Sequence, residues 1–199
     1  MVQQIILASG SAIRATLLRN AGVQFEVIVP RVDEESLKMS LISEGASPRD
    51  IADALAEMKA LRVGAKHPEA LVIGCDQVLA HDREILSKPE TPKEAVTQLK
   101  ALRGQTHQLL SAAVIYMDGK PQWRHVGQTR LFMRDMSDVY LTDYVARNWE
   151  SIRHAVGAYK LEEEGARLFT RVEGDYFNVL GIPLLELLSY LTLRGTLEG

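Results

Sequence analysis

Short apolar runs alternate with helix-periodic segments along the whole chain, and this alternation most constrains the fold. The apolar run at 3–8 is followed by a helical pattern over 13–21, whose apolar residues fall on one face. The continuous apolar run at 70–75 is typical of a central strand. Asp118-Gly119, between two strand-like arms, predicts a hairpin. Because crossover connections and hairpins occur together, we predict an α/β protein with a mixed, twisted sheet and flanking helices.

The remaining elements are placed by cap and turn residues. Proline at a first helical position marks helix starts at Pro48 and Pro92, and Thr91 with Glu94 makes a capping box. A second hairpin is predicted to turn near Asp82. Together these signals predict helices at 34–44, 48 onward, 92–104, 137–147 and 183–193, and strands at 25–29, 78–86 and 172–178.

The chain length suits one domain, or two small lobes around a cleft. Its 199 residues are 46% hydrophobic and 25% charged, which is average for a soluble globular protein. A chain of this size buries roughly 70% of the surface that it exposes when unfolded, so its core alone can support folding. No repeat or linker divides the sequence. We therefore predict a single domain over residues 1–199, with its two lobes around a cleft.

Charge and cysteine content exclude several classes of protein. The 23 basic and 26 acidic residues give a net charge of −3, so no dominant basic field for a nucleic-acid polymer is expected. The single cysteine, Cys75, allows no internal disulfide and suits a reducing compartment. Every apolar stretch is far shorter than the roughly 20 residues of a bilayer span. We therefore expect a cytoplasmic protein without a membrane partner.

The loop Ser9-Gly10-Ser11 joins the first strand to the first helix, and Arg14 lies in the first turn of that helix. A helix N-terminus offers free N–H groups and the positive end of the helix dipole, and an arginine can hold phosphate through two hydrogen bonds. The segment therefore fits an anion site. It also fits a capped strand–helix turn with an ordinary surface arginine, and on this segment alone the second interpretation is favoured.

Asp76 follows the apolar run at 70–75, so it is placed at the end of a buried strand. Ligands of open α/β sheets bind at the carboxyl ends of strands, where an aspartate can hold a divalent metal or activate water. A turn aspartate that only caps the strand explains the residue equally well. Cys75 is interpreted as a small buried side chain and not as a nucleophile. The five histidines show no metal-binding spacing and are interpreted as surface or loop residues.

Single charges near predicted loops complete the set of candidate residues. They are Asp33-Glu34-Glu35, Lys59, Lys88 and the segment 158–165, which contains Lys160 and Glu162. Each of them on its own fits a solvated surface charge. Together they provide carboxylates for a metal and for water, and cations for a polyphosphate. Hydrolysis of a nucleoside triphosphate requires these groups.

These segments resemble one family, the Maf-like nucleoside triphosphate pyrophosphatases of the inosine-triphosphatase-like fold. The resemblance extends over essentially the whole chain and depends on the order and spacing of its motifs. In chain order they are Leu7-Ala8-Ser9-Gly10-Ser11-Ala12-Ile13-Arg14, Val32-Asp33-Glu34, Lys59-Ala60, Gly74-Cys75-Asp76-Gln77, Lys88-Pro89 and Glu173-Gly174-Asp175-Tyr176-Phe177-Asn178-Val179-Leu180-Gly181-Ile182-Pro183-Leu184.

The resemblance implies an enzyme that cleaves between the α- and β-phosphates and releases a nucleoside monophosphate and pyrophosphate. It implies a divalent metal, for which oxygen ligands favour magnesium or manganese, a nucleotide substrate, a cytoplasmic location and a homodimer. Asp76 is then the proton acceptor, and Asp76 and Glu34 are the residues expected at the metal. The residues that resemble the family's substrate cradle are Ser9, Ser11, Arg14, Lys59, Lys88 and Lys160.

Two loop residues depart from the family pattern. Ala12 and Ile13 stand where the family has a proline and a first arginine, so the loop lacks a fixed φ angle and one candidate phosphate or base contact. Ile13, Gln77 and Glu162 occupy three positions that resemble the family's code for substrate choice. Gln77 and Glu162, with Lys160, resemble the branch that acts on 7-methyl-GTP.

A physical reason supports a guanine-type base. The pairing edge of guanine presents two neighbouring donors, N1–H and an amino group, which a carboxylate such as Glu162 can accept. One alternative is a pyrophosphatase for dTTP, UTP or CTP. Another is a nucleotide-binding regulator without turnover, since the family is also linked to septum formation. The presence of Asp76, Glu34, Lys59 and Lys88 argues against the regulator, whereas the altered loop argues for it.

Overall fold

Seven strands form one mixed sheet in residues 3–198, the part of the chain that the computed structural model describes. They are β1 (Ile5–Ala8), β2 (Glu26–Val27), β3 (Leu71–His81), β4 (Glu84–Leu86), β5 (Thr106–Met117), β6 (Lys120–Met133) and β7 (Phe169–Glu173). Their order is β2-β1-β3-β5-β6-β7, with β4 beside β3. β1 pairs in parallel with β2 and β3, whereas β4 pairs antiparallel with β3 and β7 with β6. The predicted mixed α/β fold is confirmed.

The chain folds into two units, each assembled from separated stretches of sequence. The first unit comprises the chain up to Gln77, Ser111–Gly127 and the chain from Gly181 onward. The second unit comprises Val78–Leu110 and Gln128–Leu180. The long strands β3, β5 and β6 each contribute residues to both units.

Seven α-helices accompany the strands in the described residues, and the predicted cap residues begin three of them. The helices are α1 (Ala12–Asn20), α2 (Glu34–Ser43), α3 (Pro48–Gly64), α4 (Pro92–Leu102), α5 (Asp138–Ile152), α6 (Tyr176–Val179) and α7 (Leu184–Leu193). The side-chain oxygens of Ser47, Thr91 and Ser137 accept the backbone N–H three residues later, at 3.1–3.2 Å. These bonds satisfy donors that the first helical turn leaves without intrahelical partners.

Both predicted hairpins turn where the sequence places them. Asp118 and Gly119 join β5 to β6 with φ angles of 53° and 76°. Asp82 and Arg83 join β3 to β4 with φ angles of 46° and 71°. Two successive positive φ angles are the mark of a two-residue turn whose twist matches that of the flanking strands. Asp-Gly is a favoured pair for this conformation, because glycine adopts a positive φ without steric cost. Asp82-Arg83 has no glycine and adopts two positive φ angles without that advantage.

The strand predicted at 172–178 is wrong in its position. β7 runs from Phe169 to Glu173, and the chain then turns at Gly174, whose φ is 125°. The Asp175 carboxylate accepts the N–H of Phe177 at 3.2 Å and begins the short helix α6. Gly174 and Asp175 are therefore turn and cap residues, which end the strand and start a helix.

The strand expected to end just before Asp76 is also wrong in its extent. β3 continues through Asp76 to His81, because the apolar side chains of Val78 and Leu79 are also buried. Asp76 is thus an interior residue of an 11-residue strand and not a turn residue at its end. The strand predicted at 25–29 shortens to the two residues of β2, which pairs with β1 at the edge of the sheet.

Each unit has its own buried apolar cluster. In the first unit, Ile6, Ala60, Val72 and Tyr116 belong to a cluster that joins β1, α3, β3 and β5. In the second unit, a larger cluster includes Leu79, Leu99, Leu131, Tyr144 and Phe169. Each fully buried side chain of this size contributes roughly 1.5–3 kcal/mol of transfer free energy. The two clusters therefore hold the strands and helices that carry the candidate residues.

None of the helices in the described part of the chain combines the length and apolarity that crossing a membrane would need.

Candidate active site

Gly74 allows α3 to pack directly on β3. A Cβ atom at this position would lie 2.1 Å from the carbonyl oxygen of Ala56 and 2.7 Å from the backbone nitrogen of Ala60. Real Cβ atoms do not approach backbone that closely, so only glycine fits. The close packing brings the side chain of Lys59, on α3, to that of Asp76, two residues beyond Gly74 on β3.

Lys59 lies between two carboxylates of the first unit. Its Nζ is 2.5 Å from Oδ1 of Asp76 and 2.9 Å from Oε2 of Glu34. Lys59 and Asp76 are 6% and 7% exposed, whereas about half of the Glu34 side chain (47%) is exposed. A buried charge needs a partner, and Asp76 and Lys59 are partners for each other. Glu34 begins α2 just after its N-cap residue, Asp33.

Burial raises the pKa of the Asp76 carboxyl above its ordinary value, although attraction to Lys59 and Arg14 offsets part of the effect. Burial acts in this direction because a low-dielectric environment disfavours the charged form. A carboxylate with a raised pKa binds a proton more strongly than an ordinary surface aspartate does. A buried carboxyl with a raised pKa is a candidate general base, and Asp76 is such a group.

Arg14 ties three segments of the first unit together. Its Nε donates to the carbonyl oxygen of Gly181 at 2.7 Å, and its Nη1 donates to Ser9 Oγ at 3.2 Å and to the carbonyl oxygen of Cys75 at 3.1 Å. A Cβ at Gly181 would lie only 3.1 Å from the guanidinium. The contact to Gly181, 167 residues away, could not be predicted from local pattern. Arg14 thus positions the loop 9–11 and β3 at Cys75. Its role as a phosphate ligand stays a prediction.

The loop 9–11 leads directly into α1. Ser9 is 3% exposed, and its Oγ also accepts the N–H of Ser11 at 3.2 Å. Ser11 is the N-cap residue by its backbone conformation, but its side chain makes no cap hydrogen bond. Ile13 is partly exposed in the first turn of α1. The start of α1 therefore keeps N–H groups that its own cap side chain does not use, as an anion site requires.

The two neighbours of Asp76 have different environments. The Nε2 of Gln77 donates to Ser111 Oγ on β5 at 3.0 Å, which orients the amide. Cys75 is fully buried, and burial raises the pKa of its thiol to about 11. The thiol is therefore protonated at neutral pH, and only the thiolate is strongly nucleophilic. This agrees with the interpretation of Cys75 as a small buried side chain.

The other candidate residues belong to the second unit. Lys88 is exposed just after β4, beside the buried Pro89. Lys160 Nζ donates to Ser151 Oγ at 2.7 Å and lies 3.2 Å from Glu163 Oε1. Its ammonium is therefore held by its own unit, through a serine that sequence reasoning did not select. Glu162 is exposed in the adjoining turn, and no ion pair of Glu162 is found among residues 3–198.

A buried aromatic anchor holds the segment that carries Lys160. Tyr159 Oη is 2.8 Å from Nε2 of His107, and its ring packs edge-on against Phe169 at a centroid distance of 4.7 Å. His107 is 1% exposed on β5, which corrects its interpretation as a surface or loop residue. Burial lowers the pKa of this imidazole to about 4, so it is neutral at pH 7. A Cβ at Gly165 would lie 2.3 Å from the carbonyl oxygen of Lys160, so the segment is tightly folded.

Asp76 and Glu34 are the residues best suited to a divalent cation. Within residues 3–198, no group of three or more His, Cys, Asp or Glu side chains gathers at one point. The two carboxylates instead converge on a single ammonium, that of Lys59. Mg²⁺ is commonly bound by one or two carboxylates together with substrate phosphates and water. The donor set therefore fits a hard cation that shares its ligands with a polyphosphate.

Comparison with known proteins identifies the family of this chain. A family model described as Maf-like protein matches residues 4–193. A nucleoside triphosphate pyrophosphatase of Ruegeria pomeroyi is 65% identical over 198 residues, which are 100% of both chains. Its counterpart from Roseobacter denitrificans is 66% identical over 197 residues and 99% of both chains, and a 7-methyl-GTP pyrophosphatase of Brucella abortus is 42% identical over 199 residues and 100% of both chains. The chain therefore belongs to the Maf-like family.

Proposed function

We propose that this protein hydrolyses the bond between the α- and β-phosphates of a nucleoside triphosphate, releasing a nucleoside monophosphate and pyrophosphate. The buried contact between Asp76 and Lys59, with Glu34 as a second carboxylate on the same ammonium, is the observation that carries the proposal. Relatives that are similar over their whole length and named nucleoside triphosphate pyrophosphatase support it.

Asp76 serves as the proton acceptor in the proposed reaction. A water molecule forms a bond to phosphorus as the bridging P–O bond breaks, and Asp76 takes the proton that the water loses. Its raised pKa makes the carboxylate a stronger base than an exposed aspartate. Lys59 keeps Asp76 in place and supplies a positive charge beside the negative phosphates.

The proposed phosphate contacts fall into two groups. In the first unit, Lys59, Ser11 and the N-terminal N–H groups of α1 offer positive charge and donors. Arg14 donates to three protein acceptors and so supports this loop. Its remaining N–H donors can bind a phosphate. In the second unit, Lys88 is exposed, whereas Lys160 already contacts Ser151 and Glu163 and has a third N–H to offer a phosphate.

A divalent cation, magnesium or manganese, is part of the proposal. When bound, it would neutralise phosphate charge and polarise the bond that breaks. Asp76 and Glu34 would hold it, since their oxygens are hard ligands and already lie close to one point. Glu34 is the more exposed of the two carboxylates. A hydrated cation can therefore approach from the side of Glu34.

Removal of divalent cations is expected to abolish pyrophosphate release, and Mg²⁺ or Mn²⁺ to restore it. Glu34→Gln should raise the Mg²⁺ concentration for half-maximal rate by on the order of 10-fold, because one of the two carboxylates is lost. Glu35→Gln is the matched control, since Glu35 is the next residue of α2 and pairs with Lys38 instead. A full rate in excess chelator, or an equal shift in both variants, would contradict the metal assignment.

We propose 7-methyl-GTP as the preferred substrate. The exposed Glu162 carboxylate can accept the N1–H and amino donors of a guanine edge, and Gln77 is oriented by Ser111. The 42% identical relative from Brucella abortus, named a 7-methyl-GTP pyrophosphatase, supports this choice. The more similar relatives carry a name without a particular base.

A substrate panel tests this proposal directly. With 7-methyl-GTP, GTP, dTTP, UTP and CTP, the highest kcat/KM for pyrophosphate release is expected for 7-methyl-GTP. Glu162→Gln should reduce the preference for 7-methyl-GTP over dTTP by about 10-fold or more, because a charged hydrogen bond is replaced by a poorly matched amide. Glu150→Gln, at an exposed glutamate of the same unit, should leave the preference unchanged.

Two results would overturn parts of the proposal. Faster turnover of dTTP, UTP or CTP than of 7-methyl-GTP would contradict the proposed base. It would leave the proposed pyrophosphatase activity in place. Nucleotide binding without any pyrophosphate release, with Mg²⁺ or with Mn²⁺, would favour a regulator without turnover. Measuring binding and release on the same samples separates the two results.

A further inference from the structure

A small groove of the first unit lies between β2 with its following loop and the C-terminal end of α3. Its volume is about 270 Å³, and its walls are formed by Ile28, Val29, Pro30, Arg31, Arg62, Val63, Lys66 and His67. None of these residues belongs to the candidate set gathered at Asp76. The groove was not recognised in the sequence, because its two walls are about 30 residues apart along the chain.

Positive charge is concentrated in this groove. The cations are Arg31 on one wall and Arg62 and Lys66 on the other, where the imidazole of His67 adds a further polar group. The stretches 27–32 and 61–68 contain no aspartate or glutamate, although the protein as a whole has a net charge of −3. Among residues 3–198, no carboxylate lies within ion-pair distance of these four side chains.

Further towards the start of α3, a cation with a structural role is paired with carboxylates. There, Arg124 approaches Asp53 and Glu57 of α3, so its charge is balanced within the protein. Arg62 and Lys66 lie at the helix C-terminus, where a cation is favoured by the helix dipole. The dipole does not explain Arg31, which comes from the opposite wall, nor the lack of a balancing carboxylate.

The groove also has an apolar surface. Val29 is 61% exposed, and it lies beside Ile28, Pro30 and the buried Val63. Guanidinium groups bind phosphate through paired hydrogen bonds, and an ammonium adds a point charge. A ligand that fits both surfaces has a phosphate for the cations and a flat or apolar group for Val29 and Pro30.

We propose that this groove binds a small organic phosphate of the size and chemistry of a nucleoside monophosphate. The volume of the groove is about 270 Å³. It lies just below the usual range of pockets for drug-sized ligands, which favours a single phosphate with one small group over a longer polyphosphate ligand. None of its lining residues belongs to the proposed catalytic centre, although Val29 also lies beside Gly10 of the loop 9–11.

Titration of the full-length, isotope-labelled protein with adenosine monophosphate tests the proposal. Amide signals from 28–33 and 62–67 are expected to shift and to saturate with a Kd of about 1 mM or tighter. Arg31→Gln, Arg62→Gln and Lys66→Gln combined should weaken this Kd by about 10-fold or more. Shifts at 9–14 and 74–77 report separately on binding at the candidate active site.

Two controls make the result specific. Lys93→Gln with Lys120→Gln removes two exposed cations elsewhere, and should change the Kd by less than about two-fold. Inorganic phosphate should bind about 10-fold more weakly than adenosine monophosphate, because it cannot use the apolar wall. The proposal is overturned if groove signals do not saturate by about 10 mM, if both sets of variants weaken binding equally, or if phosphate alone binds as tightly. Saturable shifts with an acidic peptide and none with adenosine monophosphate would overturn it in favour of a protein partner.

Discussion

Replacing Asp76 by asparagine is expected to reduce pyrophosphate release by about 10²- to 10⁴-fold while nucleotide binding persists. Asparagine has nearly the same shape, so it can remain beside Lys59 on β3. It cannot accept a proton from water, and it leaves Glu34 as the only carboxylate on that ammonium. The measurement is kcat and KM for pyrophosphate release, with nucleotide affinity determined by calorimetry.

A loss of folding must be separated from a loss of chemistry in this variant. Asp53→Asn is the matched control, because it removes another ion-paired carboxylate of the first unit, the partner of Arg124. The control should keep its rate within about two-fold, since an ion pair near the surface contributes only about 0–1 kcal/mol. If Asp76→Asn keeps more than about a tenth of the wild-type kcat, Asp76 is not the general base.

Replacing Gly74 by alanine is expected to destabilise the protein by about 3 kcal/mol or more. The added Cβ would lie 2.1 Å from the Ala56 carbonyl oxygen and 2.7 Å from the Ala60 nitrogen. Both are backbone atoms of α3, so no side chain can rotate away, and the helix must move off β3. That movement would draw Lys59 away from Asp76, and kcat should fall even in the protein that remains folded.

Gly10→Ala is the control for this substitution. Its Cβ would meet only the Val29 side chain, at 3.4 Å, which is an ordinary contact. We expect the free energy of unfolding in urea to change by less than about 1 kcal/mol for Gly10→Ala. A Gly74→Ala protein that unfolds at the same urea concentration as wild type would refute the close packing of α3 on β3.

Local pattern was a reliable guide wherever a few neighbouring residues decide the conformation. Ser47, Thr91 and Ser137 cap the helices that follow them, because their side-chain oxygens reach a backbone N–H only three residues away. Asp118-Gly119 turns the long hairpin because both residues tolerate positive φ. These signals were sufficient to predict the mixed α/β class.

Prediction failed where burial on both sides of the chain matters more than local polarity. The sequence pattern predicts that the strand ends before Asp76, because its carboxylate interrupts an apolar run. In the structure, β3 continues to His81, since Lys59 balances the charge of Asp76 and apolar residues follow it. His107 reads as a surface residue, yet its pairing with Tyr159 allows it to be buried.

The sequence by itself determined the mixed α/β class, the cap residues of three helices and the family to which the chain belongs. Only the tertiary structure decided which polar groups meet. It brings Lys59 to both Asp76 and Glu34, and it commits the guanidinium of Arg14 to protein acceptors as far away as Gly181. The physical reason is that a cap or a turn depends on hydrogen bonds within a few residues. The partner of a charged side chain depends instead on how closely two distant backbones can approach, which at this site is set by the missing Cβ of Gly74.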